Sequence, residues 1–182
     1  MSKALAMVEY LTVSTGITAA DSMVKTADVK LIEAHVVCPG KYIALIEGEL
    51  SAVAAAVDNA KKNYGEKLVD SFVLGNPDDS IFPAIYGSAS VENPSALGVL
   101  ETYSAASIIV AADIASKTAD IKLVELRIAK GMCGKSYMLI TGEVAAVTAS
   151  VDNVKERLKE SSMYLDSSVI ANPDKMTWSN IL

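Results

Sequence analysis

The sequence has little of what usually carries chemistry. Its 182 residues include one histidine, one tryptophan and two cysteines. Two cysteines without C-x-x-C spacing make no local metal motif, and in a reducing compartment they are not expected to form a structural disulfide. They leave packing, reactivity or shared metal binding. No Ser/His/Asp set, phosphate-binding glycine loop or H-E-x-x-H helix is present, so no familiar catalytic motif is carried. Sixteen basic residues face twenty-two acidic ones, a net charge of −6, and no Lys/Arg cluster stands out, which argues against a nucleic-acid partner. No apolar stretch approaches the roughly 20 residues a membrane span needs. The opening "MSKALAMVEYL" has too short an apolar run for a signal peptide and is interrupted by Glu9. The expectation is a cytosolic protein with no membrane partner. Aromatic residues make up only 5% of a chain that is 51% hydrophobic, so the core must be built of Ala, Val, Leu and Ile; 21% charged residues is not a disordered composition.

What is there is a repetition. "ALAMVEY" (Ala4 to Tyr10) and "TAADSMVKTADVKLIE" (Thr18 to Glu33) return as "ALGVLET" (Ala96 to Thr102) and "VAADIASKTADIKLVE" (Val110 to Glu125), both 92 residues later. Fourteen of the 34 positions from Ala4 to Val37 are identical at that offset, against about one in sixteen for unrelated residues. The offset grows to 94 (Lys41 with Lys135, Gly48 with Gly142) and then to 96, where "DSFVLGNPD" (Asp70 to Asp78) meets "DSSVIANPD" (Asp166 to Asp174). The first two extra residues fall in one loop. "VVCPGKYIAL" (Val36 to Leu45) carries Cys38, Pro39 and Gly40, whereas "IAKGMCGKSYMLI" (Ile128 to Ile140) carries Gly131, Met132, Cys133 and Gly134. The chain divides into a first domain over 1–78, a linker over 79–95 with a short helix in its first half, and a second domain with a C-terminal tail over 96–182.

Periodicity gives the order β-α-β-β-α-β in each repeat, an α+β sandwich with helices on one face of an antiparallel sheet. In the first helix Ile17, Ala20, Val24 and Ala27 lie at helical spacing and are expected to be its core stripe. Ser51 is expected to cap the second helix. Glu9 and Glu101 match each other, but a strand-end carboxylate without a partner base makes no catalytic pair. His35 is expected to be structural and surface-facing, and Trp178 to cover an edge.

These residues together resemble the bacterial microcompartment shell proteins. The carriers are a strand ending in Glu, an "AAD…KTAD" passage from helix to strand, the loop, and a "G-E-x-x-A-V" helix start, in order in both halves. Two fused copies imply the tandem-domain subclass, whose homotrimers imitate a hexamer, with other shell proteins as neighbours. The "CPG" of Cys38 to Gly40 is similar to that of the iron–sulfur-binding shell subunits of propanediol-utilisation compartments. The resemblance implies that one Cys38 thiolate from each of three chains holds a single [4Fe–4S] cluster per trimer at a central pore. Its electron would serve an enclosed redox enzyme, and the chain would be no enzyme itself. Pro39, Gly40, Gly131, Met132, Cys133 and Gly134 become pore-loop residues, although Pro39 and the glycines are also ordinary turn residues; whether Cys133 reaches the centre stays open. Lys25 and Lys117, at matching helix ends, read as helix C-terminal charge, or by resemblance as tile-edge lysines. Two other readings stand beside this one: a shell protein with an open metabolite pore and no cluster, and a small-molecule-binding trimeric regulator.

Overall fold

A computed structural model describes residues 4–92 and 94–181; the domain limits at residues 1 and 182, and Asn93 of the linker, lie outside them. The first repeat runs β1 (Ala4–Tyr10), α1 (Val13–Thr26), β2 (Val29–Val37), β3 (Lys41–Gly48), α2 (Leu50–Tyr64), a 3-10 turn (Gly65–Lys67) and β4 (Leu68–Leu74). The linker contains α3 (Ile81–Ile85). The second repeat runs β5 (Ala96–Thr102), α4 (Ala105–Thr118), β6 (Ile121–Arg127), β7 (Ser136–Gly142), α5 (Val144–Leu158) and β8 (Tyr164–Ile170), followed by α6 (Lys175–Ile181). Each repeat forms its own four-stranded antiparallel sheet, ordered β2-β3-β1-β4 and β6-β7-β5-β8. The β-α-β-β-α-β reading is correct for both.

β1 is apolar except for Glu9 because both of its faces are covered. Ala4, Ala6, Val8 and Tyr10 meet Ala19, Ala20 and Met23 of α1 and Val53, Ala56 and Ala60 of α2. Leu5 and Met7 point the other way, into the large cluster shared with the second repeat. Alanines let the helices lie close on the sheet. At Gly16 the approach is closest, since a Cβ there would stand 2.4 Å from the Cβ of Tyr42. The Tyr10 hydroxyl donates to the Ala60 carbonyl at 3.1 Å inside this core, and burial pushes its pKa up to about 12.

Three sequence expectations are corrected here. The buried stripe of α1 is Gly16, Ala19, Ala20 and Met23, while Ile17 is 53% exposed and Val24 39% exposed. α2 begins at Leu50 with Glu49 as its N-cap, so Ser51 lies inside the helix and caps nothing. Trp178 covers a sheet face rather than an edge, packing from α6 with Leu97, Val124 and Leu139.

The repeats pack unsymmetrically. α4 lies across β4 and β1 of the first sheet as well as on its own β6 and β5, which buries it nearly all round. α1 packs on α2, β2, β3 and β1 of its own repeat. The same isoleucine shows the difference: Ile109 of α4 is fully buried and its counterpart Ile17 is half exposed.

Gly16→Ala is expected to cost about 1–3 kcal/mol by overpacking against Tyr42. Gly65→Ala, in helical backbone with open space around its Cβ position, is expected to add about 0.4–1 kcal/mol by reducing unfolded-state freedom. Urea unfolding of the two variants beside the parent measures both.

Candidate functional site

The two unequal loops meet. After β2 the chain turns at Cys38–Gly40, with the Gly40 amide donating to the Val37 carbonyl at 2.9 Å. Gly40 has a φ of 112°, a value glycine adopts without strain. The Cys38 amide then donates to the carbonyl of Ala129 at 3.1 Å, which fastens the first loop to the second. The longer loop turns back through left-handed residues, Ala129 (φ 54°), Gly131 (73°), Cys133 (52°) and Gly134 (86°). It is held by the Ala129 amide donating to Ser136 Oγ at 3.0 Å and the Lys135 amide donating to the Met132 carbonyl at 3.1 Å. Gly134 lies against the first loop: a Cβ there would sit 3.3 Å from the Cys38 carbonyl oxygen and 3.1 Å from Lys41 Nζ. Both thiols are free; Cys38 is half-buried and Cys133 exposed. Pro39, Gly40 and Gly131 are exposed, Met132 is half-buried and Gly134 is buried.

Lys41 links this loop pair to a buried polar cluster. Its Nζ donates to Glu9 Oε1 at 2.7 Å, and the Glu9 side chain is fully buried while that of Lys41 is 14% exposed. Glu9 Oε2 accepts from the backbone amides of Ala105 at 2.8 Å and Ala106 at 3.4 Å, the first turn of α4. A carboxylate there meets orphan N–H groups and the positive end of the helix dipole. Asp70, opposite Glu9 in the β1–β4 register, works beside it. Asp70 Oδ2 accepts from Ser107 Oγ at 2.6 Å and from Ser104 Oγ, and Ser104 Oγ caps α4 by accepting from the Ser107 amide at 3.0 Å. Two carboxylates on neighbouring strands of the first domain thus receive a lysine, two hydroxyls and a helix N-terminus, the last three groups from the second domain.

At the far end of α4 a second polar group closes the same seam. Lys117 Nζ donates to the Asn76 carbonyl at 2.5 Å and to Asp113, and Asp113 Oδ1 accepts from the Asp78 amide at 2.9 Å. Among the described residues Lys25 has only its helical neighbour Asp21, at 2.6 Å, and both side chains are largely exposed. The two matching lysines therefore stand in different surroundings.

Sequence reasoning set Glu9 aside for want of a partner base and passed over Asp70, Ser104 and Ser107. A signal was available: Glu9 recurs as Glu101, Asp70 as Asp166 and Lys41 as Lys135, at offsets 92, 96 and 94. The strand register that sets Glu9 beside Asp70 was not readable from it. His35, expected to face the surface, is half-buried, with its Nδ1 3.7 Å from Glu33 Oε2 and its Nε2 buried without a hydrogen-bond partner among the described residues. In the second repeat Arg127 stands in its place and pairs with Glu125. Burial, and the Glu125 carboxylate accepting its hydroxyl at 2.7 Å, push the nearby Tyr137 up to about 12. A cleft of about 290 Å³ lies beside this pair, lined by Tyr86, Glu125, Arg127 and Lys130 among others.

Two copies of one α+β domain, joined by an unsymmetrical seam and with their unequal loops fastened to each other, define a tandem-domain protein. The model of the BMC domain matches residues 4–77 and again 96–173. The chain belongs to the BMC-domain family as a tandem-domain bacterial microcompartment shell protein, and the family is structural, not catalytic. It is 37% identical to the bacterial microcompartment shell protein PduT of Citrobacter freundii over 98% of this chain and 97% of that one. One repeat's worth, 47% of the chain, is 36% identical to a carboxysome shell protein of Prochlorococcus marinus over 85% of that protein. Among solved structures, a microcompartment protein from Desulfitobacterium hafniense superposes with a TM-score of 0.85 at 40% identity, over 98% of this chain and 99% of that one. A fused permuted hexameric shell protein from the RMM microcompartment shares the fold at a TM-score of 0.64 and 22% identity, over 88% of this chain and 83% of that one.

Glu9→Ala would leave Lys41 without its partner and the α4 amides without an acceptor in a buried site. The expected loss is about 3–5 kcal/mol, read by urea unfolding. Replacing the exposed Glu156, which pairs only with Lys159 on the surface, should change the midpoint little by the same measurement.

Proposed function

We propose that three copies of this chain close into a ring of six domains, a pseudohexameric tile of the shell, and that its three Cys38 thiolates hold one [4Fe–4S] cluster at the centre. The observation that carries the cluster reading is the Cys38 loop itself. Its thiol is partly accessible and its backbone is fixed by the second loop through Ala129. Among the described residues of one chain no group of three or more His, Cys, Asp or Glu side chains could hold a metal ion. A cluster site therefore has to be completed by symmetry, and a three-fold axis turns one cysteine into three ligands. The fit is one of donor chemistry: a soft thiolate suits iron–sulfur clusters, and a small non-protein ligand would complete the fourth iron. Such a cluster supplies one-electron transfer, here across the shell toward an enclosed redox enzyme. Cys38 binds; Pro39 and Gly40 let the backbone approach the centre; Gly131, Met132, Cys133 and Gly134 shape the surround. On the same reading Lys25 and Lys117 stand near the tile rim, Lys25 with its open ammonium group toward a neighbouring tile of this or another shell protein and Lys117 with its ammonium group also held by Asn76 and Asp113 of its own chain.

Sedimentation should give a mass near three times 19.1 kDa. Protein purified without oxygen should be brown and contain iron. Cys38→Ser should abolish colour and iron while the trimer persists, and Cys133→Ser should keep most of both. Undiminished iron in Cys38→Ser, or wild-type protein that never binds iron, would leave the open metabolite pore as the better account.

A further inference from the structure

Resting on the ring reading, we propose that the contact between chains is a carboxylate latch: Glu101 and Asp166 of one chain receive the N-terminus of α1, with Thr12 and Thr15, from a second copy. The occupied version of this latch lies inside the chain, where Glu9 and Asp70 receive the α4 N-terminus with Ser104 and Ser107. Every group in it has a counterpart. Glu101 stands opposite Asp166 in the β5–β8 register as Glu9 does opposite Asp70. Thr12 and Thr15 occupy the helix positions of Ser104 and Ser107.

The empty version is already set. Asp166 Oδ1 accepts from the Ser167 amide at 2.8 Å, as Asp70 Oδ1 accepts from the Ser71 amide at 2.8 Å, so both carboxylates are oriented alike by their own strands. Asp70 Oδ2 is taken by the serines, whereas among the described residues nothing takes Asp166 Oδ2, and the half-exposed Glu101 carboxylate has no hydrogen-bond or ionic partner. Two like charges on facing strand positions repel one another unless a counter-group covers them. At the start of α1, among the described residues, the Thr12 and Thr15 hydroxyls bond only to each other, at 2.9 Å, in the open, and the Thr12 side chain makes no capping bond to its helix. The apolar part of the seam is unfilled at the same two places. Ile17 is 53% exposed where Ile109 is buried, and Ile170 is 42% exposed where its counterpart Leu74 packs into the core.

A heterologous contact of this kind leaves one free half at each end of the chain, so a second copy fits both ends and a ring uses them all. Charge supports the choice of occupant: the acidic half needs N–H and O–H donors, and α1 presents them at its positive end.

The test is sedimentation of the full chain over a concentration series, with circular dichroism to confirm folding. Because, among the described residues, no hydrogen bond or ion pair joins Glu101 or Asp166 to the other domain of their own chain, Glu101→Gln/Asp166→Asn should fold and melt like the parent monomer. It should need on the order of tenfold or more protein to assemble, the expected effect of losing charge-assisted hydrogen bonds. Thr12→Ala/Thr15→Ala should shift assembly the same way from the other side. Asp166→Lys should stay dissociated, and Asp166→Lys/Thr15→Asp should recover assembly, since the two positions meet only between chains. If the parent assembles and all these variants assemble at the same concentrations, the latch is wrong and the ring stands on other contacts. A parent that remains monomeric throughout overturns the ring and the latch together.

Discussion

The structure depends on a carboxylate buried where none could remain alone. Glu9 is fully buried at the end of a strand whose other residues are apolar. An ionised group there is tolerable only because Lys41 and the first amides of α4 converge on it. That need fixes the entry angle of α4 onto the first sheet, and with it the relation of the two domains. It also ties the two unequal loops to the seam, because the lysine that neutralises Glu9 follows the Cys38 turn by one residue and touches the space above Gly134.

Duplication makes unequal loops useful. A ring of single domains repeats one loop six times, so any cysteine appears six times. A tandem chain with three copies presents three of each loop, and one loop can specialise while the other shapes its surroundings. Here the short loop carries Cys38 next to Pro39 and Gly40, and the long one winds through four left-handed residues beside it. On the proposed reading this matters chemically, since a four-iron cluster has room for three protein thiolates and not for six.

The same duplication explains why identical residues behave differently. Ile109 and Ile17, Asp113 and Asp21, Lys117 and Lys25 are pairs of one residue type at one helix position. The α4 members are engaged at the seam and the α1 members are open to solvent. Nothing local separates them; only the presence of a domain on one side does. This is why the expected core stripe of α1 was wrong. Its apolar residues run round more than one face, because one face serves its own domain and another is shaped like the face of α4 that meets a neighbour.

By itself the sequence determined the repeat, the element order and the unequal loops. Offsets of 92, 94 and 96 and periods of two and 3.6 are properties of a chain read in one dimension. It also pointed to Cys38, through the resemblance that its three-residue turn carries. Only the tertiary structure decided that Glu9 and Asp70 form one site, that Cys38 hangs from Ala129, and that Trp178 lies on a sheet face. Those facts depend on strand register and on which domain covers which face. Groups 34 to 97 residues apart come within hydrogen-bond distance only after two sheets and a helix have packed, as with Ser104 and Asp70, 34 residues apart, and Glu9 and Ala106, 97 apart.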